Sequence, residues 1–511
     1  MRGDGDMSGK VTLVGAGPGD PGLLTLRGRE ALSEAEVVVY DALVSPGVLS
    51  MIPEGAELIY VGKRAGNHAM PQGEINRVLL ERAQAGRRVV RLKGGDPFLF
   101  GRGGEELELL SENGVDFEVV PGVSSALAAP AYSGIPVTHR DCCSSVHFIT
   151  GHRRADASAG IDYGPLVQAG GTLVFLMGLS ALHDIVSGLM SAGLPGNTPA
   201  AVLERGTTAH QRRIAAPLSE LEEACRRNEA RTPALIVVGA VCDLAERFSW
   251  VEKKPLFGAR VIVTRPRELV SGLAGMLRRE GAEVIELPAI RTEPVADGAP
   301  LDAAIRDIEA GHFDWLAFTS PTGVRVFMER LMEVSDLRAL AGVKLAVVGE
   351  GSRKALKGYG LRADFMPAVY DGAALGRELR EMCEPGARIL IPRAAAGNPE
   401  LVDALREKCR VIDLPTYDTV CAPFGPVDAA GLINAGEIDY CVFTSASTVC
   451  GFAAGAPGAD LSRTEAICIG PQTAGAARAL GMKVRVAEKA TLQALVQCVK
   501  DAEASRREAR S

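Results

Sequence analysis

No apolar stretch in this 511-residue chain reaches the roughly 18 residues that a membrane-spanning helix requires. The longest, such as 172–182, stop well short, so no membrane segment is expected. The first ten residues are polar and glycine-rich and lack the apolar centre of a secretory signal, which argues against export and for a cytoplasmic protein. The cysteines agree with a reducing compartment. There are 11, an odd number, with no Cys-x-x-Cys pair and with Cys142 and Cys143 adjacent. A disulfide framework and a zinc ribbon are both unsupported, no metal site is expected, and the thiols read as small buried apolar groups. A basic excess is missing too. The formal net charge is −7 with both signs intermixed, which argues against nucleic acid as the main partner. A polyanionic small molecule would have to find a local basic pocket.

What is present is a globular composition, 47% hydrophobic with 58 Gly and 29 Pro, long enough for three or four folded units. Apolar, β-branched runs at 11–15, 36–40, 58–62, 88–92 and 117–120 alternate with segments of helical spacing. That alternation predicts an α/β fold around a largely parallel sheet. Four more runs, at 146–150, 172–177, 200–203 and 234–238, predict a second α/β lobe. A charged connector, Val251-Glu252-Lys253-Lys254-Pro255, precedes a restart of the rhythm at Arg260. The second half then echoes itself. Phe318-Thr319-Ser320 matches Phe443-Thr444-Ser445, Gly349 matches Gly470, and Arg265 matches Arg393, at offsets of 125, 121 and 128 residues. Two similar α/β lobes follow from this, with Pro288 and Pro415 placed where the chain would cross between them.

Three loops after strands of the first lobe carry the chemistry. Gly15-Ala16-Gly17-Pro18-Gly19-Asp20 has the spacing of a dinucleotide loop but departs from it. Asp20 stands at the sixth position, Pro18 removes a backbone donor, and no uninterrupted helix begins there. A plain tight turn and a ligand loop remain equal readings, and an NAD-dependent oxidoreductase remains an alternative. Lys93-Gly94-Gly95-Asp96-Pro97 and Pro121-Gly122-Val123-Ser124-Ser125 follow two further strands. Glycines and small hydroxyl residues at the ends of strands in one sheet favour a ligand in the crevice outside it.

These motifs, in order from residues 11–28 through 40–44, 62–66, 90–106, 121–126, 134–140 and 172–179, resemble the uroporphyrinogen-III C-methyltransferases among the tetrapyrrole methylases. The resemblance implies S-adenosylmethionine as methyl donor, without a metal, and two C-methylations of uroporphyrinogen III, through precorrin-1 to precorrin-2. It places the cofactor against Pro18, Gly94, Gly95, Asp96, Leu99, Ser124, Ser125, Met177 and Gly206, and acid/base chemistry on Asp41 and Lys63. It also implies homodimerisation through this half. A substrate with eight carboxylates calls for cations, and Arg27, Arg64, His139, Arg140, His152, Arg153, Arg154, Arg205, Arg212 and Arg213 are available.

In the second half the polar turns at Thr319-Ser320, Gly349, Thr444-Ser445 and Gly470-Pro471-Gln472-Thr473 suit either a carboxylate cradle or helix capping. With the run from Val261 to Pro266, they resemble uroporphyrinogen-III synthase. That resemblance implies cofactor-free cyclisation of hydroxymethylbilane to uroporphyrinogen III. It puts Tyr417 in the catalytic role and Thr473 among the residues used, while Thr319, Ser320 and Ser445 are candidates for substrate contact through the polar turns that hold them. Tyr417 reads equally well as a packing residue, and a non-catalytic tetrapyrrole-binding half is the alternative. The expected architecture is a two-lobe tetrapyrrole-methylase-like α/β domain at 7–251 (lobes about 10–135 and 136–250) and a linker at 252–258. A two-lobe synthase-like α/β domain follows at 259–501, one lobe formed by 259–288 with 418–501 and the other by 292–414, and then a frayed tail at 502–511.

Overall fold

Apolar, β-branched runs become strands of parallel sheets, the inner ones buried on both faces. In the computed structural model, which describes residues 9–62, 70–151, 160–264, 267–397 and 399–509, the first five are β1 (Lys10–Gly15), β2 (Val37–Tyr40), β3 (Glu57–Tyr60), β4 (Val89–Lys93) and β5 (Asp116–Val120). They pair in the order β3-β2-β4-β1-β5, parallel throughout, with Val11, Val37 and Val89 among the fully buried residues. The C-terminal ends of the neighbours β4, β1 and β5 therefore bring the three loops side by side.

The second sheet contains β6 (Val146–Thr150), β7 (Thr172–Leu176), β8 (Pro199–Glu204), β9 (Arg212–Pro217) and β10 (Ala234–Val238), ordered β6-β7-β10-β8-β9. Only the β6 and β7 pair is parallel. Strand β9 has no counterpart among the predicted runs. It is an edge strand whose charged start, Arg212-Arg213, hides the period-two pattern. Both arginines are spent there: Arg212 Nε bonds Glu204 Oε2 at 2.6 Å and Arg213 Nη1 donates to the Ser133 carbonyl at 2.6 Å.

The connector expected at 252–258 is packed rather than loose. Trp250 Nε1 donates to the Ala131 carbonyl at 2.9 Å, its ring meets Tyr132 edge-on at 5.2 Å, and Leu256 is fully buried in the core of the next sheet. That sheet begins with β11 (Arg260–Val263) and β12 (Glu283–Glu286). The chain then forms a separate sheet from β13 (Ile290–Pro294), β14 (Trp315–Phe318), β15 (Lys344–Val347), β16 (Arg388–Ala394) and β17 (Arg410–Cys421), ordered β13-β17-β16-β14-β15. It returns with β18 (Tyr440–Phe443), β19 (Glu465–Cys468) and β20 (Lys483–Val486) to complete β12-β11-β18-β19-β20. The echo in the sequence is an echo of topology. Strands β11, β18 and β19 are parallel neighbours in that order, and so are their matched strands β16, β14 and β15.

By its contacts the chain divides into two units, Met1–Pro288 with Pro423–Val449 and Gly455–Ser511, and Ala289–Ala422 with Cys450–Ala454. Two expectations are corrected. Pro415 is not at a crossing but inside the 12-residue β17, where the register with β16 shifts between Arg393 and Ala394. A proline has no ladder donor, and such a bulge accommodates one. The return crossing lies past Cys421. The tail is not frayed from 502 either, because helix Leu492–Glu508 continues through it, burying Ala502 and Glu503. Six of the 11 cysteines are buried, Cys421 and Cys450 are exposed, and all are free. Among the described residues no helix is long and apolar enough to cross a membrane, and no cluster of potential metal ligands occurs.

Candidate active site

At the ends of β1, β4 and β5 the three loops touch backbone to backbone, which explains their glycines. Gly17 and Gly95 exchange N–H to carbonyl hydrogen bonds of 3.2 and 2.8 Å, both with positive φ. A Cβ on Gly122 would lie 2.2 Å from the Gly95 carbonyl oxygen, and one on Gly15 would lie 2.5 Å from Gly122 Cα. Neither space can hold a methyl group. Gly122→Ala is therefore expected to push the loops apart, lowering stability by about 1–3 kcal/mol as overpacking does. Urea unfolding of the full chain, with methyl-donor binding in parallel, checks this.

The first loop does not open a helix that would receive a pyrophosphate. It leads into a single 3-10 turn, Pro21–Leu23, whose Gly22 N–H is already taken by Asp20 Oδ1 at 2.7 Å. The other Asp20 oxygen accepts from the Tyr132 hydroxyl at 2.7 Å. A carboxylate at the mouth of this turn repels a phosphate instead of attracting one.

Beside the loops is a cavity of about 520 Å³, within the range of small-molecule sites. Pro18, Gly94, Gly95, Asp96, Leu99, Ser124, Ser125, Met177 and Gly206 all line it, together with Asp41. Lys63 falls outside the described residues. Ser124 caps helix Ser125–Tyr132. Asp96 uses its carboxylate on the protein: Oδ1 accepts from Phe98 and Leu99 N–H at 2.8 and 3.1 Å, and Oδ2 from Gly122 N–H at 3.0 Å. It ties two loops together. The backbone here is strained. Six non-glycine residues among those described have positive φ, and Phe100, Arg102, Met177 and Arg205 of these line the cavity, with Thr207 next to it. Each such residue costs on the order of 1–3 kcal/mol, and strain of this kind gathers where a ligand must be gripped.

Below the cavity lies a charge network absent from the sequence reading. Asp41 Oδ1 accepts from Leu43 N–H at 3.1 Å and Oδ2 from Arg91 Nη2 at 3.1 Å. Arg91 Nε and Lys93 Nζ converge on Glu106 Oε1 at 3.2 and 2.7 Å, with Gln72 Nε2 at 3.2 Å. Glu106 is fully buried, and its Oε2 has no partner among the described residues. Burial, and then the Arg91 charge, push the Lys93 ammonium below its usual range. The available signal is two cations at alternate positions, Arg91 and Lys93, in an otherwise apolar strand. Five cations, Arg91, Lys93, Arg102, Arg205 and Arg260, line the cavity against the carboxylates Asp41, Asp96 and Glu283. Four of these cations are already paired, Arg91 with Asp41 and Glu106, Lys93 with Glu106, Arg102 with Glu105 and Arg260 with Glu283 and Glu437, which leaves Arg205 for a substrate carboxylate in this pocket among the described residues. Of the ten Arg and His candidates for it, Arg205 alone lines it among those described. Arg64, His152, Arg153 and Arg154 fall outside the described residues, and Arg27 pairs with Glu118 and Glu30.

In the second half the unit formed around β13–β17 brings Ser320 and Tyr417 together. Ser320 Oγ lies 2.8 Å from the Tyr417 hydroxyl and caps helix Pro321–Val334 by accepting from Gly323 N–H at 2.9 Å. Burial raises the Tyr417 phenol above its usual range, against a smaller lowering by Ser320. Thr319 precedes this cap, partly exposed. Ser445 and Thr473 belong to the other unit. Ser445 Oγ accepts from Thr448 N–H at 3.3 Å, whereas Thr473 is buried in helix Pro471–Ala479.

The family described as Tetrapyrrole (Corrin/Porphyrin) Methylases matches residues 10–222, and that described as Uroporphyrinogen-III synthase HemD matches residues 271–497. The porphyrin biosynthesis protein HemD of Ruminiclostridium josui is 46% identical over 490 residues, covering 96% of this chain and 97% of that one. Siroheme synthase 2 of Serratia proteamaculans is 51% identical over 242 residues, 47% of this chain, and this chain spans about half the length of that relative. Among solved structures, the uroporphyrin-III C-methyl transferase of Thermus thermophilus complexed with S-adenyl homocysteine is 43% identical. The match covers 46% of this chain and all of that one, with a TM-score of 0.40.

Proposed function

This chain belongs to the family of porphyrin biosynthesis proteins that join a tetrapyrrole methylase to a uroporphyrinogen-III synthase, and on that premise we propose how its two halves work. It is a bifunctional tetrapyrrole enzyme. The half at 7–251 transfers methyl groups from S-adenosylmethionine to uroporphyrinogen III, giving precorrin-2 through precorrin-1. The half at 259–501 makes that substrate by cyclising hydroxymethylbilane. What carries the methylase reading is one cavity in which nine residues suggested for the cofactor meet Asp41.

The residues fit a methyl donor of this kind. The glycine loops let a ligand approach main-chain atoms, Met177 offers a half-exposed thioether, and the loop that would favour a pyrophosphate is closed by Asp20. When bound, the donor supplies a methyl group on a sulfonium that needs no metal activation. The protein aligns the reactants and handles charge. Asp41, fixed by Leu43 and Arg91, faces positive charge developing on a pyrrole nitrogen as its carbon takes the methyl, and it accepts the proton released. Arg205 is placed to meet a substrate carboxylate, while Arg91 and Lys93 stay with Asp41 and Glu106 and hold the acid/base group in place.

In the synthase half, Tyr417 carries its proton near neutral pH as any phenol does, and burial raises it further. It can therefore donate to the departing hydroxyl of hydroxymethylbilane, with Ser320 orienting it. Tyr417→Phe keeps the ring packing and is expected to slow enzymatic cyclisation about a hundredfold, the lower end of what a general acid contributes, with methyl transfer unchanged. Quenched-flow measurement of uroporphyrinogen III against the spontaneously formed isomer I checks it. The overall reading is tested by anaerobic incubation of the full chain with hydroxymethylbilane and S-adenosylmethionine. Precorrin-2 is the expected product, whereas isomer I alone, or unmethylated uroporphyrinogen III, overturns one half or the other.

A further inference from the structure

The wall of the methyl-donor cavity is not made by the methylase half alone. Arg260 on β11 and Glu283 on β12, both from the synthase half, line it beside Arg205, Gly206, Thr208 and His210. Glu283 Oε2 accepts a hydrogen bond from the Ala209 N–H at 2.8 Å, across 74 residues of sequence. Its other oxygen lies 2.9 Å from Arg260 Nε, and Arg260 Nη1 is in turn held by Glu437 at 2.6 Å. Both Arg260 and Glu283 are largely buried, so this carboxylate has a fixed place.

The segment it holds is the turn between β8 and β9. Arg205 and Thr207 have φ values of 44° and 71°, and Gly206 is pressed so close to Ala129 that an added Cβ would lie 2.2 Å away. The same turn supports the first glycine loop: Thr207 Oγ1 accepts from Asp20 N–H at 3.2 Å, and a Cβ on Gly19 would lie 2.8 Å from Thr208 Cγ2. One carboxylate from the second half thus pins a strained turn that forms part of the cavity and supports a loop that forms another part. Without it, the largely buried Ala209 N–H would lose its acceptor, and a strained turn without its tether relaxes.

We propose that Glu283 is a positioning residue of the methyl-donor site, contributed by the synthase half, so that the methylase half reaches its full cofactor affinity only with that sheet packed against it. This rests on the methyl-donor reading of the cavity. The test is calorimetric titration of the full chain with S-adenosylhomocysteine, with hydroxymethylbilane cyclisation measured on the same samples. Glu283→Ala is expected to weaken binding about tenfold, the loss typical of a charge-assisted hydrogen bond. Glu283→Gln, whose amide oxygen still accepts from Ala209, is expected to return to within about twofold of the wild type by the same reasoning. If the alanine variant fails to fold, Glu283→Met, of similar length and without an acceptor, carries the same expectation. Wild-type affinity in the alanine or methionine variant overturns the proposal, and so does equal weakening in the glutamine variant. A wild-type chain that binds no S-adenosylhomocysteine removes the methyl-donor reading itself, and this proposal with it.

Discussion

Asp41→Ala is expected to lower the methyl-transfer rate by about two orders of magnitude or more, the range in which a positioned acid/base group contributes, while leaving cyclisation of hydroxymethylbilane unchanged. The residue lies just after β2, partly exposed to the cavity, so little packing is lost. Arg91 keeps Glu106 and the carbonyls of Val39 and Leu92, at 3.4 and 2.9 Å, as partners when the aspartate is gone. A loss of rate without a loss of fold follows. The measurement is anaerobic release of S-adenosylhomocysteine with uroporphyrinogen III supplied directly. Undiminished methylation would remove Asp41 from the chemistry, and a parallel fall in cyclisation would point to damage beyond the site.

The second large effect is on stability. Glu106→Ala removes the carboxylate on which Arg91, Lys93 and Gln72 converge, leaving two cations buried in a space built for one anion between them. Breaking such an arrangement from one side costs about 3–5 kcal/mol. Denaturant unfolding, followed by hydrogen exchange in β4 to separate it from the other unit, should report the loss. The pH dependence has a definite sign. Lys93 is already below the usual lysine value of 10.5, and losing Glu106 lowers it further. Between that lowered value and 10.5 the unfolded chain binds more protons than the folded one, so the variant regains stability as pH rises through this window. A loss of stability independent of pH would mean that the cost comes from the vacated space and not from the stranded ammonium.

Much of the architecture is legible because burial writes itself into local sequence. The nine apolar runs of the first half correspond to nine of its ten strands, since inner strands covered on both faces are continuously apolar and the edge strands β3, β5 and β6 still carry short apolar runs. The missed strand, β9, is an edge that opens on Arg212-Arg213, and this pair breaks the apolar run that marks the other edges. Pro415 reads as a break because a proline usually ends a ladder, and only the pairing partner shows that it sits beside a bulge. The cavity is legible through its glycines, whose spacing along three strands is a one-dimensional trace of three loops in contact. The network under it is not. Asp41, Arg91 and Glu106 are separated by 50 and 15 residues, and each alone looks like an ordinary polar residue near a turn. Asp96 is legible in part. Its position in the cavity wall agrees with its place in the loop, but the sequence does not show that three backbone amides also engage its carboxylate and tie two loops together. The role of Glu283 is out of reach for a similar reason, since nothing local marks an acidic residue as the acceptor for an amide 74 positions upstream.

The sheet β12-β11-β18-β19-β20 is assembled from segments on either side of another unit, and this has a consequence for how the protein is made. After β11 leaves the ribosome, 176 residues must follow before its neighbour β18 begins. At about 5–20 residues per second, that is a wait of roughly 10–35 s. Throughout it β11 carries one open edge, with the nascent methylase already complete ahead of it. The growing chain is then most exposed to wrong pairing, and chaperone engagement should be concentrated in that interval.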